Sequence, residues 1–230
     1  MKICGMEKLS MVDYDGYISC TVFTPGCNFR CPFCHNALLV TGGAAEIPES
    51  EVFDYLNKRK GLVDAVCITG GEPTLQPDLK DFIKRVRALG YKVKLDSNGT
   101  NPAVLEELIG EGLLDYVAMD IKSDFEGYGE VIGVDSPALL ERVQKSVELL
   151  KRSPIEYEFR TTAIAEFHSE KNYAKIAEIV RGAKRFFIQK FKDGENNLTQ
   201  GLLSELPESE AKKFLAEVSK VVPITSLRGY

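Results

Sequence analysis

Short apolar runs alternate with stretches of helical periodicity along most of this 230-residue chain. Residues 18–23, 65–69, 92–95, 116–119, 155–161 and 186–191 read as strands, because each is brief, rich in β-branched or aromatic residues and bounded by turn signals. Between them the apolar positions recur at helical spacing. Pro48 and Glu49 open one helix. Leu79, Phe82, Ile83, Val86 and Leu89 line the face of another, which Gly90 stops. Asn101 and Pro102 cap a third, carrying Val104, Leu105, Leu108 and Ile109. Further helices are expected from Ser136-Pro137 to about Lys151, around 174–180, and over roughly 208–221. Six strand–helix units without sequence repeats predict an α/β fold: one parallel sheet, right-handed crossovers and outer helices.

The unusual residues cluster at one kind of place. A cysteine-rich loop follows the first strand, and Gly70-Gly71-Glu72-Pro73 follows the second. Asp96-Ser97-Asn98, then Asp120 to Lys122, then Arg160 close the third, fourth and fifth. All lie at or just beyond the carboxyl ends of strands, the edge where parallel α/β sheets gather ligands and catalytic groups. The loops are therefore expected to converge on one mouth.

Composition narrows the class. Hydrophobic residues make up 44% of the chain, yet no apolar run approaches twenty residues. The start of the sequence lacks the apolar core of an export signal, so the cytoplasm is expected and a membrane partner is not. A net charge of -5 gives no case for nucleic acid, and Lys58-Arg59-Lys60 and Lys184-Arg185 read as solvated cations near helix ends or turns. Of six cysteines, Cys20 and Cys67 sit in apolar strands and read as buried hydrophobes, while Cys4 has no visible partner. Cys27, Cys31 and Cys34 fall within eight residues, too dense for a disulfide framework, so a reducing compartment is expected.

The loop over 24–36 carries the chemistry. C-x3-C-x2-C supplies three thiolates, which can hold three corners of an iron–sulfur cube and leave the fourth iron open for a ligand. Zinc is the competing metal, with His35 as a nearby imidazole, although no second C-x2-C pair completes four ligands. Gly70-Gly71 has a bland account, a tight turn needing positive φ, and a functional one, bare carbonyls facing a ligand's ammonium. Asp96 and Asp120 are caps or surface carboxylates, or else two carboxylates in one mouth that repel unless a cation sits between them. Arg160 pairs with an acid or faces the ligand, and His168 reads as a solvated loop residue.

The run from Phe23 to Asn36, with Gly70-Gly71-Glu72-Pro73-Thr74-Leu75-Gln76, resembles the radical S-adenosylmethionine (SAM) superfamily, in particular its glycyl-radical-enzyme activases. The likeness covers most of the chain and is nearest to single-domain activators of anaerobic ribonucleoside-triphosphate reductase. It implies a partial (β/α)6 barrel spanning residues 1–230 as one domain, without the ferredoxin-like insert of other activases. It implies one [4Fe–4S] cluster on Cys27, Cys31 and Cys34, and SAM held near Phe33, His35, Gly70, Gly71, Glu72, Asp96, Ser97, Asp120, Lys122 and Arg160. In some relatives a monovalent cation joins the site. The implied chemistry is reductive cleavage of SAM to methionine and a 5′-deoxyadenosyl radical, which takes hydrogen from a glycine of a partner enzyme. The resemblance further implies an external electron donor such as flavodoxin or ferredoxin. Alternatives left standing are a radical SAM enzyme acting on a small molecule or another macromolecule, and a non-catalytic iron–sulfur or zinc module. Where some activases carry a histidine beyond the sixth strand, this chain has Gln189-Lys190-Phe191-Lys192. The terminal Arg228-Gly229-Tyr230 is similar to the surroundings of a glycyl radical, but its spacing departs from that pattern and coincidence is the reading taken.

Overall fold

The computed structural model describes residues 1–230. Eight strands stand in sequence order in one sheet: β1 (Gly5–Ser10), β2 (Ser19–Thr24), β3 (Ala65–Gly70), β4 (Lys92–Ser97), β5 (Tyr116–Asp120), β6 (Glu156–Ala163), β7 (Arg185–Lys190) and β8 (Ile224–Arg228). β1 runs antiparallel to β2, whereas β2–β3, β3–β4, β6–β7 and β7–β8 are parallel pairs. Helices α1 (Ala37–Thr41), α2 (Glu49–Lys58), α3 (Leu79–Ala88), α4 (Pro102–Gly110), α5 (Tyr128–Ile132), α6 (Pro137–Arg152), α7 (Glu170–Val180) and α8 (Glu208–Ser219) connect them. The six strand–helix units expected from the sequence correspond to β2 through β7 with their following helices. β1 and β8 correct the expected strand count from six to eight, and the short α1 and α5 were also not anticipated.

The chain packs as two compact units. The first comprises Met1–Asn28, Leu38–Ser97 and Ala103–Val117, and the second comprises Phe29–Ala37, Asn98–Pro102 and Ala118–Tyr230. In the first, Val66, Ile68, Val93 and Leu95 are fully buried, as are Val52, Leu56, Ile83 and Val86 of α2 and α3. Cys20 and Cys67 are fully buried too, and burial pushes the Cys20 thiol up to about 12. In the second unit Phe159, Phe186 and Ile188 are buried with Ile176, Val180, Phe214 and Val218 of α7 and α8. Burial on both faces explains the near-continuous apolar runs of β2 and β3.

Register decides which polar residues share the remaining strand face. In the first unit Thr21 pairs with Cys67 and Cys67 with Lys94, so the three form one row across β2, β3 and β4. In the second, Arg160 pairs with Phe187 across β6 and β7. Charged groups lie along these rows inside otherwise apolar strands. No helix is long and apolar enough to cross a membrane.

Candidate functional site

In the first unit, the start of the cysteine loop and the glycine turn are built onto each other. Gly71 N–H donates to Thr24 O at 2.8 Å, Glu72 N–H to Gly26 O at 2.7 Å, and Gln76 Nε2 to Pro25 O at 2.7 Å. The approach is so close that a Cβ on Gly71 would sit 1.9 Å from Gly26 O, and one on Gly70 would sit 2.5 Å from Thr24 N. Packing alone therefore requires both glycines, in addition to any part in binding. Glu72 is fully buried, and its Oε1 accepts from Thr74 N, Thr74 Oγ1 and Ser97 Oγ at 3.1, 2.5 and 2.9 Å. Two predicted site residues, Glu72 and Ser97, are thus in contact.

Asp96 lies two residues after Lys94 on β4, and strand alternation puts both side chains on one face. Lys94 Nζ is 3.0 Å from Asp96 Oδ1 and donates to Asp13 O at 2.5 Å. Asp13 Oδ2 in turn accepts from Thr21 Oγ1 at 2.6 Å. Lys94 was not among the sequence candidates; the available signal was a lysine two positions before the strand-end aspartate.

In the second unit, Asp120 takes two cations at once. Arg160 Nε donates to Oδ1 at 2.8 Å and Lys122 Nζ to Oδ2 at 2.9 Å. Burial would raise the Asp120 carboxyl, but the Arg160 and Lys122 charges outweigh it and hold the group well below the usual carboxylate range. For Lys122 the opposition is reversed: burial favours the neutral amine, and the charges of Asp120 and Cys31 push it upward. A thiolate at Cys31 and the Lys122 ammonium therefore favour each other's charged form. The ammonium also sits 5.7 Å above the Phe33 ring. Asp120, Lys122 and Arg160, three predicted residues, form one ionic cluster with Phe33 alongside.

The Lys122 backbone is clamped on both sides. Its N–H donates to Tyr128 Oη at 3.2 Å, and its carbonyl lies 3.0 Å from His168 Nε2. A carbonyl can only accept, so Nε2 carries the proton and Nδ1 accepts from Ile164 N–H at 3.1 Å. His168 is 1% exposed, which overturns the expectation of a solvated side chain. Burial lowers its pKa and keeps the imidazole neutral.

The loop after β7 fastens the cysteine loop. Leu198 N–H donates to Cys34 O at 3.0 Å, and Thr199 gives both N–H and Oγ1 to Pro32 O at 2.9 and 2.8 Å. Ala37 N–H reaches Asn196 O at 3.2 Å, and the His35 ring stacks on Phe191 with centroids 5.8 Å apart. Phe191, in the run where some activases carry a histidine, and residues 196–199 thus anchor the cysteine loop.

The cysteines suit an iron–sulfur cluster by their chemistry. None is in a disulfide; Cys27 and Cys34 are half-buried, and Cys31 is buried within the influence of a lysine that favours its thiolate. A family model described as the Radical SAM superfamily matches residues 21–187. The chain belongs to the radical SAM superfamily. Membership makes it an enzyme and implies a [4Fe–4S] cluster and SAM. Over 221 residues it is 32% identical to the "Putative glycyl-radical enzyme activating enzyme" of Methanocaldococcus jannaschii, covering 95% of this chain and 91% of that one. Over 139 residues it is 32% identical to the pyruvate formate-lyase-activating enzyme of Clostridium pasteurianum, covering 57% of each. Among solved structures, Streptococcus suis SuiB bound to precursor peptide SuiA shares the fold with a TM-score of 0.68 at 16% identity, over 91% of this chain and 48% of SuiB. The anSMEcpe structure with bound AdoMet gives 0.59 at 20% identity, over 86% and 57%. This radical SAM chain spans about half the length of each of these two structures.

Proposed function

We propose that this radical SAM enzyme activates anaerobic ribonucleoside-triphosphate reductase by abstracting hydrogen from a glycine of that partner. The observation that carries the activase part is the near full-length match to the M. jannaschii protein. Cysteine usage supports the finer assignment. Outside Cys27, Cys31 and Cys34 the chain has only Cys4, Cys20 and Cys67, which are scattered and two of them buried, so a ferredoxin-like second cluster has no ligands. Reductive cleavage consumes an electron, for which a flavodoxin or ferredoxin is the proposed donor.

Cys27, Cys31 and Cys34 are the proposed cluster ligands. When bound, the cluster and SAM supply the reductive carbon–sulfur cleavage and the hydrogen abstraction. The protein's part is orientation and charge. Lys122, fixed through its backbone by Tyr128 and His168, presents an ammonium for the SAM carboxylate while Asp120, itself held by Arg160, keeps it charged. Glu72 and Ser97 brace the turn at Gly70-Gly71, whose bare backbone is the proposed contact for the SAM amino group. Asp96 is assigned to SAM binding on the same side of β4 as Lys94, and Phe33 and His35 to the packing of SAM against the cysteine loop.

The test is anaerobic reconstitution with iron and sulfide, dithionite reduction, SAM, and the candidate reductase. A glycyl-radical doublet on the reductase, with 5′-deoxyadenosine formed in step, supports the assignment. Cys31→Ala is expected to hold no intact cluster and to form no product. Cleavage of SAM without radical on the reductase would remove that partner and favour another glycyl-radical enzyme or a small-molecule substrate. Intact clusters with SAM untouched would remove the catalytic reading.

A further inference from the structure

The sequence allowed for a monovalent cation between Asp96 and Asp120, which makes the Asp96 carboxylate one of its expected ligands. That ion does not suit what the structure puts there. Lys94 is 5% exposed and its ammonium lies 3.0 Å from Asp96 Oδ1. The same ammonium donates to the Asp13 carbonyl at 2.5 Å. A carboxylate oxygen and a backbone carbonyl are the ligands that a sodium or potassium ion would seek, since hard cations prefer oxygen donors. Here a lysine nitrogen takes both. The donor atoms are themselves held in place. Asp13 is fixed by Thr21 Oγ1 at 2.6 Å, and Asp96 by its position at the end of β4. Lys94 lies inside that strand, in register with Cys67, and its side chain is buried.

We infer that the Lys94 ammonium is the resident cation of Asp96, and that this enzyme binds SAM without sodium or potassium at that carboxylate. The inference rests on the proposed assignment of Asp96 to the SAM site. It assigns Lys94 as a positioning residue: the ammonium holds the Asp96 carboxylate in place without joining the chemistry. A fixed ammonium differs from a metal ion in two testable ways. It does not exchange with the medium, and removing it leaves a half-buried carboxylate and carbonyl that an ion can then occupy.

The experiment compares SAM cleavage by the reconstituted wild-type enzyme in choline, sodium and potassium chloride at equal ionic strength. The expected rates agree within about twofold, because the charge at Asp96 is built in. Lys94→Met is expected to fall by roughly tenfold in choline chloride, since the half-buried Asp96 carboxylate then lacks its partner, and to regain activity in sodium or potassium chloride. Lys94→Arg should stay independent of the ion. A second readout does not need turnover. The 23Na resonance of a sodium solution should show no potassium-displaceable broadening with the wild-type protein, and should show it with Lys94→Met. A wild-type rate that collapses in choline and recovers with potassium would overturn the inference, as would displaceable sodium broadening on the wild type. Should Lys94→Met fail to fold, these two wild-type measurements still decide the matter. Absence of SAM cleavage in every salt would count against the radical SAM reading of the site, and the sodium resonance would still decide the role of Lys94.

Discussion

His168 sits in a slot with one donor and one acceptor, and an imidazole matches both. Ile164 N–H points at Nδ1 and the Lys122 carbonyl at Nε2, with the ring lying over Phe214 at 6.4 Å between centroids. Leucine here would fill space but strand two buried backbone groups, each costing about 1–3 kcal/mol. Glutamine can offer one acceptor and one donor. His168→Leu is therefore expected to lose about 2–4 kcal/mol in urea unfolding and to raise the KM for SAM, because the Lys122 backbone loses its anchor. His168→Gln should recover most of both. Equal losses in the two variants would show that the ring's bulk, not its hydrogen bonds, holds Lys122. Nothing in the sequence announced this role. The partners of His168 are backbone groups at 122 and 164, and backbone partners leave no side-chain pattern to read. Lys94 was closer to legible, since its spacing from Asp96 is the two-residue step that shares a strand face.

The elements that bear the site differ in how much of their shape is dictated locally. The glycine turn is legible as a turn, but its reason is tertiary: Gly71 leaves 1.9 Å between an added Cβ and Gly26 O. Gly71→Ala must push the cysteine loop away from the end of β3, at a cost of at least about 3 kcal/mol and with loss of cluster assembly. Gly90 provides the contrast. It has φ +94° but open space around its Cβ position, so Gly90→Ala should cost only about 1 kcal/mol of backbone strain and leave assembly intact. Comparing unfolding midpoints and iron content of the two variants separates strain from close approach; similar iron loss in both would defeat the argument. The loop after β7 makes a second demand. Thr199→Val deletes the hydroxyl bond to Pro32 O and keeps the backbone one, so the bound cluster should be lost to a chelator several times faster at unchanged global stability. A cluster lifetime matching wild type would mean that the hydroxyl bond is dispensable. That loop was read only as polar, because its bonds go to carbonyls of a segment more than 160 residues earlier.

At the scale of the whole chain, the strands buried on both faces were legible and the edge strands were not. β2 to β7 each carry a buried stretch holding apolar residues, whereas β1 and β8 are largely half-buried or exposed. The candidate residues stood out in the sequence because parallel sheets collect ligand-binding groups at strand ends, but their charge partners did not. Those partners govern how the folded protein responds to acid. The native pKa of His168 lies below its unfolded value of about 6.5, because burial disfavours the imidazolium. As the pH falls through about 6.5 the unfolded chain takes up this proton first, so stability drops from there toward the lower native pKa. Asp120 acts in a later window. Its native pKa is also depressed, by Arg160 and Lys122 acting against burial, so its contribution is complete above the unfolded value of about 4 and is lost only as the pH goes lower. The two groups thus predict an acid response with two onsets. The urea midpoint should begin a first decline as the pH falls through about 6.5 on account of His168, and a second as it falls below about 4 on account of Asp120. In His168→Gln the first decline should shrink while the second stays, and in Asp120→Asn the reverse should hold. A wild-type midpoint unchanged between pH 7.5 and 5.5 would mean that His168 accepts a proton in place, with Nδ1 turning to the Ile164 carbonyl 3.3 Å away, and the neutral clamp on Lys122 would have to be abandoned.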